Sequence, residues 1–475
     1  MQEVEGLQAL AGNRAQPVGG VSRPTDTCRS PKASPHEYPH AIKTLEYVLM
    51  GIVPKPPRVK MSLSIITVFI FLLAFIVLLY TERINLLSST MFNSKSCAKR
   101  GYSKYIKKSN EDERNDTKDA RFKSFVDDRF IFDADECDIA RGKWVYNRSF
   151  TPLYTDLTCP YLDRQVSCVK NGKPDSDYRQ WEWQLDDCVL PRFDARLALD
   201  RIRGKRVMFV GDSLQRGQWQ SFVCLVEFLI PNKQKSMRRG RVHSVFKIKD
   251  HNATIEFYWA PYLIDSNTDE KIIGDPKKRI LRVDSIEKHA KHWVGVDVLV
   301  FNTYVWWMTG SKIRSLWGSF ANGEDGSEEL DAAVSYRIAL KTWANWVDSN
   351  VDQNKTRVFF TTMSPTHQRS ADWNNKGGIK CYNETKPVTK KGHWGTGSDK
   401  RIMSVCRRKM KVPVRLINIT QLSEYRVEAH SSIYTELQGK LLTDEQKADP
   451  FKFADCIHWC LPGVPDTWNR IFLAY

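Results

Sequence analysis

The sequence predicts an α/β domain with a largely parallel sheet covered on both faces, set behind a cysteine-rich segment and one N-terminal membrane helix. Three observations carry this. Short apolar runs at 206–210, 297–303, 356–363 and 414–419 alternate with helical periodicities, the pattern of a parallel sheet. Between Asp133 and Cys188 the chain is aromatic, rich in cysteine and without regular periodicity. From Leu63 to Tyr80 it is almost uninterruptedly apolar.

In chain order, residues 1–62 are rich in Pro, Gly and Ser and read as a disordered tail. The run 63–80 is close to the roughly 20 residues that cross a bilayer. Lys55, Arg58 and Lys60 precede it and only Arg83 follows closely, so the tail is expected in the cytosol and everything after the run in a lumen. A cleaved signal peptide is the competing reading, but the run is long for one and no small-residue cleavage site follows. Met61 stands so close to the run that it competes with Met1 as initiator. Residues 81–131 are polar and charged and read as a stem.

The segment 132–190 is expected to wrap the domain at 191–475, stapled by disulfides. Eleven cysteines without a Cys-x-x-Cys pair suit an oxidising lumen better than a zinc site, and no metal is expected. Cys28 falls in the tail and Cys97 in the stem. The remaining number is odd, and Cys406 is the expected spare thiol. Asn115, Asn147, Asn252, Asn354, Asn383 and Asn418 head sequons for N-glycosylation.

Arg206–Val210 reads as the central buried strand, with Gly211 allowing a sharp turn where it stops. Ser213 then stands where a helix begins, which places a hydroxyl and a free backbone N–H at the open end of a sheet. A nucleophile with half an oxyanion hole needs that geometry; an N-capping serine of an ordinary α/β protein is the alternative. Near the C-terminus, Asp455 precedes His458 by three residues, which on a turn or short helix puts carboxylate and imidazole on one side. Together the three residues suggest a Ser/His/Asp esterase-type triad. A short helix is expected over 192–203, strands over 241–258 and a long amphipathic helix over 327–351.

Functional residues of such sheets gather at the carboxyl ends of the strands. Asn302 stands at one and is a candidate oxyanion donor or a turn-forming residue. Arg216 either binds substrate or pairs with a carboxylate. Trp306, Trp307 and Trp459 offer flat faces for a sugar ring or else pack in the core. His430 either lines the groove or lies on the surface, and His367 shares that ambiguity. Asp212 points away from Ser213 and reads as a structural acceptor.

The chain carries 72 Lys and Arg against 55 Asp and Glu, a net charge of +17. The basic residues are scattered and no nucleic-acid motif accompanies them, so an acidic glycan or a basic solvated surface is the better reading.

The stretch GDSLQRGQ, the tail DCIHWCLPG, the strand end FNTYVWWMTG and the block from Glu136 through GKWV resemble the trichome birefringence-like proteins of plants, Golgi polysaccharide O-acetyltransferases. FNTYVWW is most similar to the xylan O-acetyltransferase branch. The likeness runs from about Asp133 to Tyr475; tail, anchor and stem agree only in layout. It implies an SGNH/GDSL-hydrolase-like three-layer αβα fold with an N-terminal lobe, in a type II Golgi membrane protein with a lumenal catalytic domain. It further implies Ser213 as nucleophile, His458 as base and Asp455 as its orienting acid. Cys137, Cys159, Cys168, Cys188, Cys224, Cys381, Cys456 and Cys460 would form disulfides. The implied reaction moves an acetyl group through acetyl-Ser213 to the 2- or 3-hydroxyl of a xylosyl residue. No bound cofactor is expected, the acetyl arriving on acetyl-CoA or another carrier. An acetyl esterase, transfer to mannan, xyloglucan or pectin, and a non-catalytic glycan-binding protein are the alternatives.

Overall fold

The computed structural model describes residues 137–271, 273–318, 326–403 and 410–475. The expected tail, membrane helix and stem, with Cys28, Cys97 and Asn115, lie outside the described residues, as does Cys406. Among the described residues no helix is long and apolar enough to cross a membrane.

The core is a seven-stranded sheet. In spatial order its strands are Val414–Ile417, Arg357–Thr361, Val298–Phe301, Arg206–Gly211, Ala253–Trp259, His243–Ile248 and Lys235–Arg238. Neighbours are parallel up to Ala253–Trp259, and the last two strands return antiparallel. The sheet is therefore mixed, with a meander on one edge. Val207, Met208, Phe209 and Val210 are each fully buried, as a strand covered on both faces requires.

Helices cover both faces. On one, Phe222 of helix Ser213–Glu227 and Phe472 of helix Val464–Ala474 pack around Phe209 of the central strand. On the other, Trp343 of helix Ala332–Asn350 meets Phe301 and Phe360 edge-on. That helix is shorter than the expected 327–351. Ser327–Asp331 instead pairs as a strand with Lys312–Leu316, and the Asp331 carboxylate caps the helix by accepting from Ala333 N and Val334 N. The short helix before the central strand is Ala195–Ile202, capped by Asp194.

The N-terminal segment has regular structure that periodicity did not reveal. Gly142–Tyr146 pairs antiparallel with Trp181–Leu185. Trp144 donates from Nε1 to Leu422 O at 2.7 Å, and the Arg426 guanidinium lies over its ring. Among the described residues four disulfides staple the fold: Cys137–Cys188 within the segment, Cys159–Cys224 and Cys168–Cys460 from it to the sheet domain, and Cys381–Cys456 within the domain. Of the sequon asparagines, Asn252, Asn354 and Asn383 are exposed, whereas Asn147 and Asn418 are half-buried.

Candidate active site

The central strand ends at Gly211 against the strand end at Asn302. A Cβ on Gly211 would lie 2.2 Å from Asn302 O, so only glycine lets the two backbones approach this closely. The chain then turns into helix Ser213–Glu227. Asp212, not Ser213, is the cap: its Oδ1 accepts from Leu214 N at 2.9 Å. Ser213 is thereby the first helical residue, with a backbone N–H that has no intrahelical partner.

His458 comes from the other end of the chain. Its Nε2 lies 2.8 Å from Ser213 Oγ and its Nδ1 lies 2.8 Å from Asp455 Oδ2. All three residues are buried. Asp455 and His458 occupy a strand, Asp455–Trp459, rather than the expected turn or short helix. In a regular strand residues three apart face opposite ways. Here the Asp455 carboxylate folds back instead: Oδ1 accepts from Ile457 N and His458 N at 3.0 Å each, which leaves Oδ2 beside the imidazole. Burial pushes the Asp455 carboxyl up, but His458 and these N–H donors outweigh it and hold the group below the ordinary carboxylate range. Asp212, equally buried, is pushed up to about 6 by that burial, against the opposing pull of the Leu214 and Gln215 N–H groups and of His458.

Behind His458 runs a line of buried imidazoles. His430 Nδ1 lies 3.0 Å from His458 O, His430 Nε2 lies 2.7 Å from His367 Nδ1, and His367 Nε2 lies 3.1 Å from Glu424 O. Burial takes His367 down to about 3 and His430 well below its ordinary value, so both are neutral. Two neutral rings carry two N–H groups for three contacts, so one contact lacks a proton.

Several expected roles are corrected. Asn302 is no side-chain oxyanion donor: both hydrogens of its amide are committed, to Thr361 O at 3.0 Å and Thr362 O at 3.1 Å, and its backbone N–H donates to Val210 O. It braces the strand ends. Trp306 and Trp307 are fully buried and offer no face to a sugar. The Arg279 guanidinium covers the Trp306 ring at 4.1 Å, and Trp307 packs edge-on against Tyr262 and Tyr336. Trp459 is also buried, stacked on His430 with ring centroids 3.9 Å apart and donating to Ser364 Oγ. His430 supports the strand that carries His458 from behind and lines no groove. Arg216 donates from Nη2 to Gln165 Oε1 at 3.2 Å, with Nε 3.6 Å from Asp163 Oδ2.

Gln165 is the site residue that sequence reasoning missed. It is buried, belongs to the N-terminal segment, and places Nε2 3.1 Å from His458 Nδ1. No spacing or motif in PYLDRQVSC points to it.

A serine hydroxyl on an imidazole that is oriented by a carboxylate, at the N-terminus of a helix, is equipped to form and break an acyl ester. Residues 190–475 match the family described as "GDSL/SGNH-like Acyl-Esterase family found in Pmr5 and Cas1p", and residues 135–189 match the PMR5 N terminal Domain. The chain is 60% identical over 425 residues to Protein trichome birefringence-like 3 of Arabidopsis thaliana, covering 88% of this chain and 97% of that one. Against Probable xylan O-acetyltransferase 8 of Oryza sativa subsp. japonica the identity is 58% over 352 residues, 73% of this chain and 79% of the relative. Xylan O-acetyltransferase 6 of the same organism is 49% identical over 348 residues, 72% of this chain and 62% of the relative.

Proposed function

Because this chain belongs to the GDSL/SGNH-like acyl-esterase family, we propose that it is a polysaccharide O-acetyltransferase working through an acetyl-Ser213 intermediate, with xylan as acceptor. The observation that carries the reading is the 2.8 Å contact between Ser213 Oγ and His458 Nε2. The names of the two rice relatives support the acceptor.

In the first half-reaction His458 Nε2 takes the Ser213 hydroxyl proton while Oγ attacks the carbonyl of the acetyl donor. The oxyanion forms beside the Ser213 N–H. As the intermediate collapses, the bond to the donor's leaving group breaks, His458 returns its proton to that group, and acetyl-Ser213 remains. In the second half-reaction the 2- or 3-hydroxyl of a xylosyl unit gives its proton to His458 and attacks the acetyl carbonyl. Ser213 Oγ leaves and recovers that proton. Asp455, held ionised, keeps Nδ1–H toward itself and stabilises the imidazolium of each step. The donor is acetyl-CoA or another acetyl carrier, and the reaction takes place in the Golgi lumen, behind the 63–80 membrane anchor.

The test incubates the detergent-solubilised full chain with an acetyl donor and a xylo-oligosaccharide, and follows the products by mass spectrometry. Acetylated oligosaccharide is expected, with Ser213→Ala lowering the rate by several powers of ten. Free acetate without acetylated sugar would mark an esterase. Near-normal transfer by Ser213→Ala would remove the acetyl-serine mechanism. A panel of mannan, xyloglucan and pectin fragments decides the acceptor.

A further inference from the structure

We propose that Gln165, delivered to the active site by the N-terminal lobe, is a positioning residue for His458. The proposal rests on the acyl-transfer reading for what His458 does, not for where Gln165 lies.

The Arg216 cation sets the orientation of the Gln165 amide. A guanidinium only donates, so the amide oxygen faces Arg216 Nη2, and Nε2 is the atom 3.1 Å from His458 Nδ1. Three ties hold the residue there. Thr435 Oγ1 donates to Gln165 O at 3.1 Å, Leu461 N donates to Val166 O at 2.9 Å, and Cys168 is bonded to Cys460. Two of these ties join the lobe to Cys460 and Leu461, the residues that follow the His458 strand Asp455–Trp459.

The contact has a consequence for the imidazole. In the tautomer that accepts the Ser213 proton, Nδ1–H points to Asp455 Oδ2 at 2.8 Å. Nδ1 then has no lone pair left for the Gln165 N–H. The amide instead abuts the ring and blocks its rotation away from Ser213. It also turns the positive end of its dipole, backed by the Arg216 cation, toward a ring that becomes positive during each half-reaction. Both effects favour prompt return of the proton to the leaving group. Among the described residues the charged and titratable groups that also face His458 are Asp455 on its own strand, Asp212 before the nucleophile and His430 on strand His430–Ser432, which pairs with Asp455–Trp459.

The test uses the full chain with Gln165→Met, which keeps length and removes polarity, and Gln165→Glu, which puts a carboxylate oxygen where the amide nitrogen stood. Ser213→Ala serves as reference. Acetyl transfer is measured across pH, and the His458 imidazole is followed by NMR in labelled protein, a reading that needs no turnover. For Gln165→Met, kcat is expected to fall on the order of ten- to a hundred-fold with KM unchanged. For Gln165→Glu, the acid limb of kcat and the NMR midpoint are expected to move up by about one pH unit or more, with melting temperatures close to wild type. A merely structural role would not move the midpoint. Wild-type kcat in Gln165→Met, or an unmoved midpoint in Gln165→Glu, overturns the proposal. If Ser213→Ala retained transfer, the acyl-transfer reading would fall while the NMR midpoint still decided the Gln165 contact.

Discussion

Removal of the Cys168–Cys460 bridge is expected to cost both stability and turnover. The bridge spans a sequence separation of 292 residues. A chain-entropy estimate for a loop of that length is about 5–6 kcal/mol. Cys381–Cys456 ends four residues before Cys460 and already closes part of the loop, so a loss of about 3–5 kcal/mol is expected from Cys168→Ala with Cys460→Ala. For a domain of this size that lowers the melting temperature by roughly 4–7 °C. The Cys137–Cys188 bridge, with a separation of 51 residues, gives about 4 kcal/mol on the same basis. Stability alone therefore separates the two bridges poorly, and the rate separates them well. Cys460 lies two residues beyond His458, whereas Cys137 and Cys188 staple the base of the lobe. The assay is thermal melting by circular dichroism together with acetyl transfer at 25 °C, where both variants are folded. Loss of Cys168–Cys460 is expected to lower kcat by at least tenfold, and loss of Cys137–Cys188 to leave it within about twofold. Equal kcat in the two double variants, or an unchanged melting temperature without Cys168–Cys460, would refute the reasoning.

Gly211→Ala forces a Cβ to within 2.2 Å of Asn302 O, so the strand ends must part. A loss of about 1–3 kcal/mol is expected in denaturant unfolding, with a fall in kcat on the order of a hundred-fold as Ser213 shifts. Asp455→Asn is expected to lower kcat by about three to four powers of ten because the wrong tautomer is held, while Asp212→Asn, which still caps the helix, stays within about tenfold; steady-state transfer assays compare them. Glu256 is held down at about 2: burial raises it, but hydrogen bonds from His243, Arg206 and Thr254 prevail. Its folded value lies below its unfolded one, so its contribution is present above about pH 4 and is lost as the pH falls toward 2. Because Arg206 and His243 are partly exposed, the wild type is expected to exceed Glu256→Gln by only about 1–2 kcal/mol at pH 7, with the difference closing between pH 4 and 2 in urea titrations.

The residues that the sequence made legible are those whose role follows from local pattern. The run from Arg206 to Val210 is apolar at successive positions because both faces of its strand are covered, and Gly211 stands where two backbones nearly touch. Ser213, Asp455 and His458 were recognisable because their residue types and spacing belong to one chemistry. The tryptophans stayed open between groove and core because a ring at a strand end has the same local sequence whether it faces solvent or core. Trp306 is sealed by Arg279, 27 positions earlier in the chain, and no periodicity reports that contact. Asn302 failed for a related reason, since the carbonyls that take its amide hydrogens belong to Thr361 and Thr362 on the adjacent strand. Gln165 was invisible because its function depends on a disulfide and two hydrogen bonds to the far end of the chain.

Two aspartates beside one imidazole show how environment, rather than residue type, divides the work. Asp212 and Asp455 are both almost fully buried, and burial pushes each toward the neutral form. Asp455 escapes because its two oxygens receive Ile457 N, His458 N and His458 Nδ1. Asp212 receives Leu214 N on Oδ1 with a further pull from Gln215 N–H, and these do not outweigh its burial. The negative charge that steadies the imidazolium is thus concentrated on the side of the ring away from Ser213, where it holds Nδ1–H without competing for the hydroxyl proton. Gln165 Nε2 approaches that same ring nitrogen with the opposite polarity, and Arg216 stands behind it on Gln165 Oε1. The histidine therefore sits between a carboxylate that stabilises its charged form and an amide that opposes it, the first from the C-terminal strand and the second from the N-terminal lobe. A base that must accept a proton and surrender it twice in each catalytic cycle needs both influences, and neither end of the chain supplies them alone.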